Sequence, residues 1–200
     1  SNLVVIFTRA EASGNRVKEV LETDITLTDA EDALTPNFQS ENIVQFEHVD
    51  FRYTEKSGLS LQDITFALKR NTVLGIIGPT GSGKTTLTQL IPRFYDVSAG
   101  SVAFDDVDVR SWKLDPLRSQ ISQVPQTAVL FTGTIRENLQ WGKEDATDEK
   151  CWEALRIAQA EDFVRQLPKG LETKVMENGK NFSGGQKQRV AIARALAMNP

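Results

Sequence analysis

One cysteine, Cys151, and one histidine, His48, among 200 residues exclude an internal disulfide and a cysteine-based zinc site. They also remove most histidine-based metal and nucleophile mechanisms. No run of about twenty apolar residues exists, so no segment reads as a membrane span. The apolar start at residues 3–7 is too short for the apolar region of a signal peptide and has no cleavage site after it. A surplus of positive charge is missing too: 23 Lys and Arg against 27 Asp and Glu leave a net charge of -4, whereas a nucleic-acid binder needs clustered cations to neutralise phosphates. What remains, 40% hydrophobic and 25% charged residues, is ordinary for a soluble domain with one sizeable core, or a core plus a small subdomain.

What the sequence does have is Gly78-Pro79-Thr80-Gly81-Ser82-Gly83-Lys84-Thr85-Thr86, a match to the phosphate-binding loop pattern. Before it, residues 72–77 form a short apolar, partly β-branched run that predicts a buried parallel strand. After it, Leu87, Leu90 and Ile91 recur at helical spacing up to Pro92. Strand turning into helix is the setting the pattern needs. Gly78, Gly81 and Gly83 let the backbone approach an anion closely, and the helix start adds a partial positive charge. Lys84 would reach β- and γ-phosphates, and the Thr85 hydroxyl would face Mg²⁺.

Elsewhere, residues 1–22 read as a helix carrying Val17, Val20 and Leu21 on one face, weakened by Gly14. Residues 23–41, following Glu22, are acidic, contain Pro36 and lack Lys or Arg, which reads as a solvated linker. Residues 43–53 and 61–68 predict two strands joined by a polar turn at 54–58, an antiparallel sheet leading into the phosphate loop. His48 reads as an exposed strand residue. Tyr53, at the strand's rim, suits either core packing or a stacking platform for a base. Residues 100–109 predict a strand and turn, and residues 121–126 another strand broken at Pro125. Residues 147–167 predict a helix with Thr147 as N-cap and Trp152, Leu155 and Ala158 on its buried face. Ser183-Gly184-Gly185-Gln186 opens a last helix, with Ser183 and Gln186 in the capping-box relation. Two glycines in a first turn cost roughly 1 kcal/mol each, and their bare N–H groups make a second candidate anion site.

Phe182-Ser183-Gly184-Gly185-Gln186-Lys187-Gln188-Arg189 resembles the signature sequence of ATP-binding cassette (ABC) transporters. Residues 90–96, 121–126, 130–138 and 167–173 resemble the exporter branch, and residues 12–20 are similar to the segment joining the last transmembrane helix to the cassette. The resemblance implies an α/β fold: a P-loop NTPase core with an antiparallel β subdomain and a helical subdomain at about 127–190. Residues 1–22 would be the end of a transmembrane helix and its connection, 23–41 a linker, and 42–200 a partial cassette. It further implies that Tyr53 stacks on adenine and that Gln126 contacts Mg²⁺ and couples the nucleotide site to the membrane domain. The loop around Glu177 would touch the coupling helices. Ser183, Gly184, Gly185 and Gln186 would bind the ATP held by a second cassette, a homo- or heterodimeric half-transporter.

Phe182 departs mildly from the leucine common at its position. The family's pattern would continue past Pro200 with an aspartate, the catalytic glutamate and a switch histidine, so the sequence reads as C-terminally incomplete. Weak ATP binding without hydrolysis, and exposed apolar surface where strands lack neighbours, are therefore expected of this chain. A soluble cassette acting on DNA would carry a long coiled coil between loop and signature, where roughly a hundred residues here show no sustained heptad. A regulatory module without turnover is the remaining alternative.

Overall fold

A four-stranded antiparallel sheet and a cluster of short helices each build a core of their own. The structure is a computed structural model and describes residues 2–34 and 39–200, with side chains from Val4 onward. Helix α1 (Asn2–Leu21) forms as the spacing predicts and runs through Gly14, with Val17, Val20 and Leu21 exposed. No helix among the described residues is long and apolar enough to cross a membrane.

The sheet has the order β2-β1-β3-β4, from β1 (Asn42–Phe51), β2 (Leu61–Lys69), β3 (Ala99–Phe104) and β4 (Val107–Asp108). Strand β1 buries Val44 and Phe46, then Val49 and Phe51. A period of two would turn His48 inward and Val49 outward. Register shifts between Phe46 and Val49 against β2, and between Glu47 and Asp50 against β3, insert the extra residue that restores the apolar face. His48 absorbs the change at φ 46 and stays exposed. On the buried face, Leu87 and Leu90 of α2 (Lys84–Leu90) and Leu117 of α3 (Leu114–Ser119) join Trp112, whose indole N–H donates to the Phe104 and Val107 carbonyls.

Gly100 passes this bulge at φ 76, and a Cβ there would press on the carbonyl oxygens of Glu47 and His48, well inside contact distance. Gly100→Ala is expected to destabilise the sheet by about 3 kcal/mol, from left-handed strain plus overpacking. A urea midpoint unchanged from the parent chain would count against this account of the bulge.

The second core is helical: α4 (Ile135–Gln140), α5 (Asp148–Ile157), α6 (Glu161–Gln166) and α7 (Gly184–Ala197) enclose Leu139, Leu155, Val164 and Val190. The two-residue strands β5 (Gly133–Thr134) and β6 (Lys174–Val175) pair beside them. The helix expected over 147–167 does start at Thr147, whose side chain accepts the Lys150 N–H, but it is two helices. Gln159, at φ 56, ends the first because a left-handed residue cannot continue an α-helical ladder. Trp152 packs against this core under the Arg165 guanidinium, 4.1 Å from its ring centroid. Phe182 is buried with its ring edge toward Phe163, a packing position that takes the larger side chain.

Two expected strands do not form. Residues 72–77 and 121–126 lie outside every ladder, and Val73 and Ile77 are 97% and 96% exposed. A parallel strand is stable only between neighbours that take its N–H and C=O groups, and no described segment pairs with either run. The apolar surface expected of unpartnered strands is thus present at residues 73–77. The segment after α1 is also more than a solvated linker. Leu34 bridges to Trp112, its N–H donating to the Ser111 carbonyl. Asp29 accepts the Leu114 N–H, and the buried Arg93 guanidinium, paired with Asp96, donates to the Thr28 carbonyl. The Gln39 and Ser40 N–H groups bond the Asp105 carboxylate. Pro36 lies outside the described residues.

Candidate functional site

The glycine-rich loop at residues 78–83 turns back on itself before α2. Gly81 and Gly83 hold φ 82 and φ 85, conformations costly to any residue with a Cβ. A Cβ on Gly83 would stand 2.7 Å from the Ser60 carbonyl oxygen and 2.7 Å from a Leu61 methyl, so the start of β2 forms one wall of the loop. Lys84 curls over it: Nζ donates to the Gly78 and Pro79 carbonyls at 2.8 and 2.7 Å. An ammonium held by neutral carbonyls in an open cleft is well placed to exchange them for an anion, which adds the attraction of a full opposite charge to the hydrogen bond.

The loop, Lys84, Thr85, Thr86, Tyr53 and Gln126 line one cleft of ≈ 640 Å³, within the usual range for small-ligand sites. Tyr53 stands at its rim, 47% exposed, with its ring edge-on to Phe51 and Tyr95 at 4.9 and 5.2 Å between centroids. Its phenol oxygen is 2.8 Å from Thr86 Oγ1. The Thr85 hydroxyl and the Gln126 amide oxygen are hard donors of the kind Mg²⁺ prefers. Among the described residues, no carboxylate and no imidazole lines this cleft.

The second glycine turn stands apart and does not line it. Ser183 Oγ accepts the Gln186 N–H at 3.2 Å and Gln186 Oε1 accepts the Ser183 N–H at 2.9 Å, so the capping box read from sequence forms. It offsets the helix cost of Gly184 and Gly185. The space a Cβ would take on Gly184 is open, leaving the first turn of α7 accessible.

His48 has a partner that the sequence conceals. The hairpin brings Asp63 Oδ1 to 2.7 Å from His48 Nδ1, although the two are 15 positions apart. This hydrogen bond, followed by the carboxylate's charge, raises the His48 pKa above its ordinary 6.5. The pair's contribution to stability is present below the unfolded value and fades as pH rises through the raised one. The His48 ring proton signals in NMR are expected to titrate above pH 6.5, and closer to it in Asp63→Asn; identical midpoints would contradict the pairing. The pair lies outside the cleft. Cys151 is fully buried and burial raises its thiol pKa, which leaves it unreactive.

Two residues that sequence reasoning did not single out shape the surroundings of the site. Arg93 sits at φ 52 after α2 and ties it to residues 28 and 96; an arginine next to an expected helix end carries no readable signal. Asn138, 1% exposed, binds the Phe131 N–H and the Phe131 and Thr134 carbonyls. Its one signal is a polar residue between the buried Ile135 and Leu139.

Known proteins resemble this chain in sequence and in fold. The family model for ABC transporters matches residues 61–200. An uncharacterized ABC transporter ATP-binding protein of Bacillus subtilis (strain 168) is 43% identical over 198 residues, 99% of this chain and 34% of that protein. A probable multidrug resistance ABC transporter ATP-binding/permease protein of the same organism is 41% identical, again over 99% of this chain and 34% of the relative. The chain thus spans about a third of the length of these relatives. Among solved structures, a bacterial Atm1-family ABC exporter with ATP bound superposes with a TM-score of 0.86 at 33% identity, covering 96% of this chain and 33% of that one. The phosphate loop lies inside the matched residues, and the α/β cassette fold with its antiparallel sheet and helical part agrees with that neighbour: the chain belongs to the ABC transporter family, as part of an exporter-type nucleotide-binding region.

Proposed function

We propose that this chain is the ATP-binding part of an exporter and that, within a polypeptide also carrying membrane-spanning helices, it couples ATP binding and hydrolysis to export across a membrane from the cytoplasmic face. The observation that carries this reading is the convergence of Lys84, Thr85, Tyr53 and Gln126 on one cleft beside the glycine loop. Lys84 and the N–H groups of residues 78 and 80–86 would hold the phosphates, Thr85 and Gln126 the Mg²⁺, and Tyr53 the adenine ring. Bound Mg²⁺ would neutralise phosphate charge.

Ser183, Gly184, Gly185 and Gln186 lie away from that cleft on a turn whose outer side is open. This favours a role for them on a nucleotide presented by a second cassette of a paired half-transporter. A cleft whose described lining has neither carboxylate nor imidazole offers no general base, so the chain by itself is read as binding ATP weakly without hydrolysing it. Multidrug export, named for one relative, is the substrate class we adopt.

The test is ATP turnover by the longer polypeptide in proteoliposomes. The reading expects turnover that Lys84→Ala and the double substitution Gly184→Asp, Gly185→Asp each reduce to background. Turnover indifferent to both would refute it.

A further inference from the structure

We propose that Thr86 is a positioning residue for Tyr53, setting the aromatic ring at the base end of the cleft from the helix that follows the phosphate loop; this rests on the reading of Tyr53 as the platform for adenine. Three contacts fix the ring. Phe51 and Tyr95 meet it at 83° and 90°. Such edge-on packing sets the tilt of a ring but is soft to sliding, being worth about as much over a range of offsets. The third contact is directional: the phenol oxygen lies 2.8 Å from Thr86 Oγ1, with Gln89 Oε1 at 3.4 Å as a weaker acceptor.

Thr86 suits that task. It is 6% exposed, sits in the first turn of α2 two positions after Lys84, and as a β-branched residue in a helix has few χ1 choices. Burial and its place in the helix hold that hydroxyl beside the residues that face the phosphates. A hydroxyl both donates and accepts, so Thr86 can receive the Tyr53 O–H and still offer its own proton to the cleft. Tyr53 and Thr86 are 33 positions apart, on the β-hairpin and on the helix after the loop, so this bond ties those two walls together at the rim of the cleft. Nearly half of Tyr53 is exposed, so without the bond the ring would be free to turn toward solvent.

The experiment is calorimetric titration of the full chain with ATP–Mg²⁺ and with inorganic tripolyphosphate–Mg²⁺, which lacks the base. The ratio of the two affinities isolates the base's share. Tyr53→Ala is expected to lower that ratio by about fivefold to a hundredfold, the range for loss of a base–aromatic stack. Thr86→Val and Tyr53→Phe each delete the hydrogen bond from one side and keep the shape. Each is expected to lower the ratio by about two- to tenfold, and the two together by no more than either alone. A ratio that falls in Tyr53→Ala but is unmoved by Thr86→Val and Tyr53→Phe would overturn the positioning role while leaving the platform intact. A ratio unmoved by Tyr53→Ala as well would overturn the platform reading and the inference with it. A general loss of packing around α2 would not produce the non-additivity of the two conservative changes.

Discussion

Lys84→Ala is expected to weaken ATP–Mg²⁺ binding about a hundredfold, roughly 2.7 kcal/mol, without unfolding the chain. The two halves of this expectation come from the same contacts. Among the described residues, Lys84 bonds carbonyls of its own loop, Gly78 and Pro79, and the Ser82 hydroxyl at 3.3 Å; all three are exposed, so water can replace the ammonium at little cost. Toward a triphosphate the same group is a full positive charge. Truncating one partner of a hydrogen-bonded charge pair costs about 2–5 kcal/mol when the pair is desolvated, and the open cleft places Lys84 near the lower end. Calorimetry for affinity and a urea titration for stability separate the two. A variant that binds normally would remove Lys84 from the site, and one that unfolds would mean the loop needs its lysine as a brace.

The largest expected loss of stability away from the phosphate loop is at Asn138. Its carboxamide closes the turn before α4 by accepting the Phe131 N–H at 2.8 Å and donating to the Phe131 and Thr134 carbonyls at 2.8 and 2.9 Å. At 1% exposure the amide has no water to fall back on. Asn138→Ala strands the Phe131 N–H and carbonyl, while the Thr134 carbonyl keeps its place in the α4 ladder, and it leaves a small void beside Ile135 and Leu139. Each unsatisfied buried group costs about 1–3 kcal/mol, and partial rehydration at the rim brings the total to about 4 kcal/mol. The capping box of Thr134 and Glu137 survives the change and keeps α4 helical, so the loss falls on how residues 130–134 dock. Trp152 packs against this core and Trp141 stacks on Phe131, and fluorescence in urea measures the shift. A loss under about 1 kcal/mol would mean that backbone pairing of β5 with β6 alone holds the turn.

Local chemistry was legible in the sequence where it is self-contained. The capping box at Ser183 and Gln186, the N-cap at Thr147 and the strands on either side of residues 54–58 need only neighbours a few positions away. Residues 78–86 could be read as one cleft wall because a glycine pattern fixes its own backbone. What failed depends on distant partners. Residues 72–77 have the composition of a buried strand, but composition cannot supply the neighbour that would pair with them. The break at Gln159 has no glycine or proline to announce it. Leu34 and Asp29 sit in an acidic, linker-like stretch, and only the fold shows that Ser111 and Leu114 take up their hydrogen bonds. His48 reads from sequence only as an exposed strand residue, because Asp63 approaches it across a hairpin with a bulge that sequence does not display.

The most direct test of the account is calorimetric titration of ATP–Mg²⁺ into this chain, with phosphate release followed on the same sample and Lys84→Ala measured alongside. The account predicts saturable one-to-one binding, about a hundredfold weaker in the variant, and no phosphate release. Absence of binding, equal binding by both proteins, or phosphate release that Lys84→Ala leaves unchanged would contradict it.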